Sequence, residues 1–172
     1  GYIEKGYENL LLQSNSFDTT WTTSNASVTS GQAGYDGSND AWLLSKSGSA
    51  GRVEQNISSS GVQSVSIYAK ANTKNWIALR VDIPPAAKYG YFDLSNGTTG
   101  ASDTGFNTSI EDVGGGWYRC TAWFNFTTSF VRIYVADGNQ NLTGTTGSIY
   151  IQDAMINQGL IAYPYKETTT AP

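Results

Sequence analysis

Residues 113–137 read VGGGWYRCTAWFNFTTSFVRIYVAD, and this stretch does most to decide the fold class. Side chains along an extended strand point alternately to its two faces. Alternation places Cys120, Ala122 and Phe124 on one apolar face, which Ile133 of the next run extends. The stretch therefore predicts a hairpin whose second face carries rings between hydrogen-bonding groups: Trp117, Arg119, Thr121, Trp123, Asn125, Arg132 and Tyr134.

Short strand-like runs of this kind recur along the whole chain, separated by Gly, Asn, Asp and Pro turn residues. No window shows sustained helical periodicity, so the pattern predicts an all-β sandwich or barrel. A proline pair at residues 84–85 is expected to close one strand. The predicted strands are 9–13, 26–29, 41–46, 51–57, 62–71, 76–83, 89–93, 109–113, 117–127, 131–137 and 148–156.

The composition excludes several classes of function. The net charge is −4 and the pI is near 4.6, which argues against non-specific nucleic-acid binding. No apolar run reaches the roughly 20 residues that a membrane-spanning helix needs. The chain has no histidine, which excludes Ser-His and Cys-His nucleophilic schemes. Its single cysteine, Cys120, lies at a predicted core position and can form no internal disulfide.

The 172 residues fit one domain with a short segment at each end. We expect residues 1–8 to be a linker, residues 9–165 to form the folded module, and residues 166–172 to be a second linker. The last segment, KETTTAP, is small, polar and ends in proline, as is typical of a tether to other domains of a larger protein.

Two further strands continue the polar and aromatic pattern of the first hairpin. If all four strands lie in one sheet, their outward side chains form a single surface. Pyranose rings have apolar faces that stack on aromatic rings and polar edges that bind arginine, aspartate and asparagine. Three arginines would suit a carboxylate or sulfate group. The predicted carbohydrate-binding residues are Tyr68, Trp76, Arg80, Asp82, Arg119, Trp123, Asn125, Arg132 and Tyr134.

Five segments together resemble a module that is common in bacteriophage tail and fibre proteins, and that module is similar to jelly-roll carbohydrate-binding modules of the galactose-binding-like type. The resemblance runs from about residue 9 to residue 165. It implies a jelly-roll β-sandwich of two antiparallel sheets, no catalysis, and a place on the virion surface or outside the cell. The segments are residues 9–18 followed by Trp21, 91–98, 109–120, 131–138 and 147–154.

The resemblance also implies a structural calcium ion between the first and last strands. Asp18 and Asp153 match the positions that hold the ion, although family members often have Glu in place of Asp18. A turn with Asp36 and Asp40 would add oxygen ligands, since calcium takes six to eight oxygens. The alternative for these residues is a simple turn and a surface acid.

The sequence therefore predicts a non-catalytic module that binds polysaccharide or a cell-surface glycan on a concave sheet. One alternative is a structural or oligomerising domain of a trimeric fibre. Another is a polysaccharide depolymerase, which would need two carboxylates across a glycosidic bond, such as Asp82 and Asp93.

Overall fold

The computed structural model of the protein describes residues 6–83 and 86–172, and its described residues form two six-stranded antiparallel sheets around one core. The predicted proline turn at residues 84–85 and the first five residues of the predicted linker lie outside this range. No helix capable of crossing a bilayer is found in the described part of the chain.

Twelve strands make up the two sheets. Sheet A has the order β1-β4-β11-β6-β7-β8 and sheet B has the order β2-β3-β12-β5-β10-β9. This arrangement confirms the predicted all-β, jelly-roll sandwich. The strands are β1 (Thr22–Ser24), β2 (Ala26–Gln32), β3 (Ala41–Lys46), β4 (Arg52–Ser59), β5 (Val62–Ala71), β6 (Trp76–Ile83), β7 (Ala86–Asp93), β8 (Thr98–Ser102), β9 (Asn107–Gly114), β10 (Trp117–Asn125), β11 (Thr128–Ala136) and β12 (Gly147–Gln158).

Ten of the eleven predicted strands correspond to observed ones. The predicted strand at residues 9–13 is wrong: this segment forms no strand, although Leu10 N donates to the Ile156 carbonyl of β12 at 2.8 Å. β1 and β8 were not predicted, because their sequences TTS and TTGAS carry no apolar alternation.

The core lies between the sheets and is built from the inward-facing half of each strand. Sheet A contributes side chains such as Leu79 and Ile133, and sheet B contributes Ile67 and Cys120. These side chains are at most 1% exposed, as alternation between core and outer faces requires. Other buried members are Leu11, Phe17, Trp21, Trp42, Leu44, Val53, Val65, Ile77, Val81, Phe92, Phe124, Val131, Val135, Ile149 and Ile151.

The segment predicted as the C-terminal linker is partly packed against the start of the domain. Thr168 is buried, its N–H donates to Ser14 Oγ at 2.9 Å, and its hydroxyl donates to the Leu11 carbonyl. Gln13 N donates to the Thr169 carbonyl at 2.8 Å. Residues 11–14 form no strand, and backbone groups of Leu11, Gln13 and Ser14 find hydrogen-bond partners in this tail. The boundary predicted after residue 165 therefore lies too early.

The same correction applies to the described end of the N-terminal linker. The Tyr7 ring stacks on Tyr163 with centroids 4.9 Å apart, and its hydroxyl donates to the Pro164 carbonyl at 2.7 Å. Residue 7 therefore packs on the domain.

Candidate functional site

The predicted single binding surface does not exist, because its four strands belong to different sheets. β5 and β10 lie in sheet B, whereas β6 and β11 lie in sheet A. The predicted hairpin of β10 and β11 is therefore wrong: the chain crosses from one sheet to the other after Asn125. Alternation buries the same side chains in both arrangements, so it cannot distinguish them. Sheet A carries Trp76, Arg80, Asp82, Arg132 and Tyr134, and sheet B carries Tyr68, Arg119, Trp123 and Asn125.

The outer face of sheet A is a regular array of side chains set by strand register. Arg132 lies directly opposite Arg80 across the β11–β6 pair. Arg132 also lies opposite Glu54 of β4, and Arg80 lies opposite Tyr89 of β7. We call these four residues, Glu54, Arg132, Arg80 and Tyr89, the arginine row. One neighbouring row consists of Arg52, Tyr134, Ala78 and Tyr91. The neighbouring row on the other side consists of Asn56, Phe130 and Asp82.

Each guanidinium of the arginine row is held by a carboxylate and by a ring. Arg80 Nη2 donates to Asp82 Oδ2 at 2.8 Å, and Arg132 Nε donates to Glu54 Oε2. The carbon of the Arg132 guanidinium lies 4.2 Å from the Phe130 ring centroid, and that of Arg80 lies 5.4 Å from it. Ion pairing and stacking fix the planes of both groups, which reduces the entropy lost when they bind a ligand.

Arg80 also contacts two tyrosines. Its Nη1 donates to Tyr89 OH at 2.8 Å and to Tyr134 OH at 3.4 Å. Burial alone would lower the pKa of Arg80, but its bonds to Asp82 and Tyr134 raise that pKa above its ordinary value. Burial raises the pKa of Tyr89. Arg80 therefore stays positively charged and Tyr89 stays neutral at ordinary pH values.

Tyr134 is 1% exposed and cannot touch a ligand in this arrangement. It packs with Ala78, Tyr91 and Ala136, and Ala50 and Leu142 lie against this group. The predicted role of Tyr134 as a stacking platform is therefore wrong. Its hydroxyl instead accepts bonds from Arg80 and from Arg132 Nη1, each at 3.4 Å.

Trp76 lies at the rim of the same face and is half-buried. A Cβ on Gly100 of β8 would lie 2.7 Å from the Trp76 ring, so the absence of a side chain at residue 100 lets β8 approach the indole. Asn139 Oδ1 accepts a bond from Ala101 N at 2.8 Å and holds a neighbouring loop in place.

The sequence reasoning missed the rings and acids that complete this face. Phe130 lies outside the predicted strand at residues 131–137. Tyr89 and Tyr91 lie in the predicted strand at residues 89–93, for which the sequence analysis predicts no outward face. The same holds for β4. The β6–β7 register pairs Arg80 with Tyr89, and alternation from Arg132 reaches Phe130. Both signals were therefore present in the sequence.

On sheet B, other parts of the protein contact the outward-facing side chains of Tyr68 and Arg119. The Tyr68 ring stacks on Tyr35 with centroids 3.7 Å apart, and the carbon of the Arg119 guanidinium lies 5.3 Å from the Tyr68 centroid. Arg119 Nη2 donates to the Tyr163 carbonyl at 2.6 Å and to Ser66 Oγ at 3.2 Å. The segment after β12 thus covers this part of the outer face.

Trp123 and Asn125 remain accessible at the other end of sheet B. Trp123 is half-buried, and it lines a shallow hollow of about 320 Å³ with Leu160 and Ile161. Leu160 and Ile161 are the two large hydrophobic side chains exposed in the described residues, at 60% and 62%. Ser109, Glu111, Arg119 and Thr121 line the same hollow, which lies on the face opposite the arginine row.

The two carboxylates considered for glycoside hydrolysis are engaged elsewhere. Asp82 is paired with Arg80. Asp93 Oδ1 accepts bonds from Ser95 N at 2.9 Å and Asn96 N at 3.2 Å. Burial alone would raise the pKa of Asp93, but hydrogen bonds from Asn96 and Ser95 hold it below its ordinary value. An acid of lowered pKa is poorly suited to protonate a leaving group.

The predicted calcium ligands do not converge. Within residues 6–83 and 86–172, no three acidic side chains form a group that could hold a metal. Asp18 is exposed and bonds only Thr19, whereas Asp36 Oδ1 accepts bonds from Ser38 Oγ and Gln152 Nε2. The residues as arranged do not fit calcium, and the ion stays a prediction from the resemblance.

Asp153 is buried at the bulge of β12 with a φ of 55°. Its Oδ2 accepts a bond from Tyr35 OH at 2.7 Å, and its N–H donates to Asn15 Oδ1 at 3.0 Å. Burial raises the pKa of Asp153 to about 6, and the charges of Asp36, Glu167 and Asp40 add to the rise. Asp40 itself is exposed.

Comparison with known proteins gives similarity at the level of structure. No protein-family profile and no curated protein matches the chain. Solved structures similar to it include carbohydrate-binding modules. A family 29 module in complex with cellulohexaose is 11% identical over 90% of this chain and 92% of its own, with a TM-score of 0.51.

Two further neighbours are also modules with bound oligosaccharides. One is the structure of the CBM22-1 and GH10 modules of Clostridium thermocellum xylanase 10B in complex with xylohexaose. It is 13% identical, with a TM-score of 0.49, and the match covers 93% of this chain and 29% of that one. The other is a family 61 module with β-1,4-galactotriose: 15% identity, TM-score 0.42, 88% of this chain and 99% of that one. Identities this low establish a shared fold alone.

Proposed function

We propose that this chain is a non-catalytic carbohydrate-binding module and that it binds polysaccharide on the outer face of sheet A. The observation that carries the proposal is the arginine row, where two ion-paired guanidiniums lie side by side next to the partly exposed rings of Tyr89 and Phe130. The fold shared with carbohydrate-binding modules supports it.

The face offers the two kinds of contact that a sugar needs. Tyr89 and Phe130 are partly exposed rings that pack against the guanidiniums of Arg80 and Arg132. The rings would bury the apolar face of a pyranose, and the guanidiniums would donate to its hydroxyl oxygens. In this arrangement Asp82 and Tyr134 position the arginines, and Trp76 borders the surface.

Binding to a polysaccharide panel tests the proposal. We expect Tyr89→Ala and Phe130→Ala each to weaken binding about tenfold, because a stacking contact in a binding site is worth roughly 1–2 kcal/mol. Trp123→Ala is the matched control, since it removes a half-buried ring from the opposite face. Unchanged binding in both sheet A variants, with loss in the control, would move the site to sheet B.

The setting of the module is part of the same proposal. The resemblance to tail and fibre modules supports a larger surface protein of a phage or bacterium, outside the cell or on a virion. Detection of the parent protein in purified virions or in the secreted fraction, by mass spectrometry of its peptides, would test this placement.

The exposed apolar side chains beside the sheet B hollow favour a second candidate function, a structural domain that oligomerises. Exposed Leu160 and Ile161 beside Trp123 form the kind of patch that a subunit contact covers. Light scattering after gel filtration distinguishes the two functions. A trimer that dissociates in Leu160→Ser/Ile161→Ser and binds no glycan would favour the structural role.

A further inference from the structure

Arg80 and Arg132 stand directly opposite each other on adjacent antiparallel strands. Like charges in this position destabilise a sheet, because their side chains are only about 5 Å apart at Cβ. Arg52 lies diagonal to the pair, opposite Tyr134 and with its guanidinium carbon 5.8 Å from that ring. Three of the chain's four arginines thus gather on one face of an acidic protein.

Dedicated contacts keep the two opposed guanidiniums close together. Tyr134 OH accepts a bond from each of them at 3.4 Å, and the Phe130 ring lies beneath both. The carboxylates that offset their charge, those of Asp82 and Glu54, lie beside them. A local violation of pairing rules that is supported in this way is typical of a functional site.

The exposed charge of the face is positive. The Arg80 side chain is 19% exposed, whereas its partner Asp82 is 4% exposed. Arg132 is 20% exposed and shares Glu54 with Arg52. Among the described residues, Arg132 Nη2 donates to no protein atom, so one edge of the guanidinium remains able to bind a ligand.

We propose that the Arg80–Arg132 pair binds an anionic substituent, a carboxylate or a sulfate ester, and that the polysaccharide recognised on this face is acidic. The inference rests on the proposed carbohydrate-binding function. A guanidinium offers two parallel donors that match both groups, and a second guanidinium beside it adds charge where one arginine alone would bind weakly. Binding of the anion would also relieve the repulsion within the pair.

Matched pairs of polymers test this inference. Polygalacturonate, alginate and hyaluronan are compared with their carboxyl-reduced forms, and dextran sulfate is compared with dextran. We expect at least one acidic polymer to bind about tenfold more tightly than its neutral counterpart at low salt. The preference should shrink between about 50 and about 500 mM NaCl, because salt screens partly exposed charges. Preference confined to the carboxylates or to the sulfate identifies which group is bound.

Variants of the pair separate charge from geometry. Arg132→Gln is expected to abolish the preference for the acidic polymer, and Arg132→Lys to retain part of it, since lysine keeps the charge but loses the fork. Arg119→Gln removes the same charge from the opposite face and should keep the full preference. Thermal melts show that each variant is folded.

The outcomes distinguish the inference from the function on which it rests. If a neutral polymer binds as well as its acidic counterpart, or if Arg132→Gln keeps the preference, the inference is overturned and carbohydrate binding stands. If no polymer of either kind binds the folded protein, the proposed function itself is overturned.

Discussion

At the scale of single residues, Asp153 shows how one carboxylate can be kept inside a core by a phenol rather than by a cation. It sits in the left-handed backbone region, where Asp and Asn are the commonest residues after Gly. Tyr35 donates to its side chain and Asn15 accepts from its backbone. Burial favours the neutral form of the acid.

Asp153→Asn is expected to change how stability depends on pH. The pKa is about 6 in the folded state against an ordinary 3.8, so the folded protein keeps a proton that the unfolded chain loses first. Stability is therefore full below about pH 4 and falls as pH rises to about 6. Asparagine avoids this loss of stability. A rise of about two pKa units corresponds to a loss of about 2–3 kcal/mol. Urea unfolding at about pH 4 and about pH 8 measures it.

The expected result is a variant equal to the wild type at the lower pH and more stable at the higher one. Asp18→Asn is the matched control on an exposed aspartate. Parallel pH profiles of the wild type and Asp153→Asn would show that folding does not raise the pKa of Asp153.

At the scale of elements, an irregular segment that forms no strand packs against the other end of the chain. Residues 11–14 exchange hydrogen bonds with residues 168 and 169, and Tyr7 stacks on Tyr163. A segment with polar, small residues looks like a linker in sequence. Its packing depends on partners more than 150 positions away, which no local pattern reveals.

Removal of residues 166–172 should therefore lower stability. Deletion leaves buried backbone groups of Gln13 and Ser14 without partners, at about 1 kcal/mol or more for each lost bond. A drop of roughly 2–4 kcal/mol in the unfolding free energy is expected by urea titration. Removal of residues 170–172, which are exposed, serves as the control and should cost little. Equal stabilities for both truncations would show that the tail is a free linker after all.

Calcium gives a second test at this scale, on the bulge of β12 and the loop around Asp36. Saturating calcium would stabilise the fold by several degrees if a site were formed, by mass action. Because Asp36 and Asp153 already accept bonds from protein donors, we expect melting temperatures to be equal in EDTA and in calcium chloride. Magnesium chloride controls for ionic strength. A rise specific to calcium, lost in Asp153→Asn, would restore the ion that the resemblance implies.

The elements also show what the sequence could and could not predict. Alternation assigned the inward faces of β5, β6, β10 and β11, since each strand has only one apolar side. It could not assign the strands to sheets, because a crossing strand and a hairpin bury the same side chains. Residues opposite each other, such as Arg80 and Arg132, depend on register between strands far apart in sequence. The sequence therefore predicts which residues face outward, but it does not predict which of them lie next to each other.

At the scale of the whole molecule, two faces of one sandwich differ in character. Sheet A presents the arginine row. Sheet B is partly covered by residues after β12, of which Leu160 and Ile161 are exposed beside Trp123. Such a division lets one face bind a polymer while the other contacts protein. Both faces belong to sheets that pack on the same hydrophobic core.

Cys120 reports on that shared core. Its side chain is fully buried between the sheets, and burial raises the pKa of its thiol. A reagent therefore cannot reach the sulfur, and the reactive thiolate does not form. We expect a disulfide reagent such as DTNB to leave the folded protein unmodified and to react fully in urea. As urea increases, the reaction should follow the loss of tryptophan fluorescence, because only opening of both sheets exposes the sulfur. Ser27→Cys, on the exposed strand β2, should react at once in the same assay. Rapid labelling of native Cys120 would mean that β10 separates from the core by itself, and that the sandwich does not unfold as one cooperative unit.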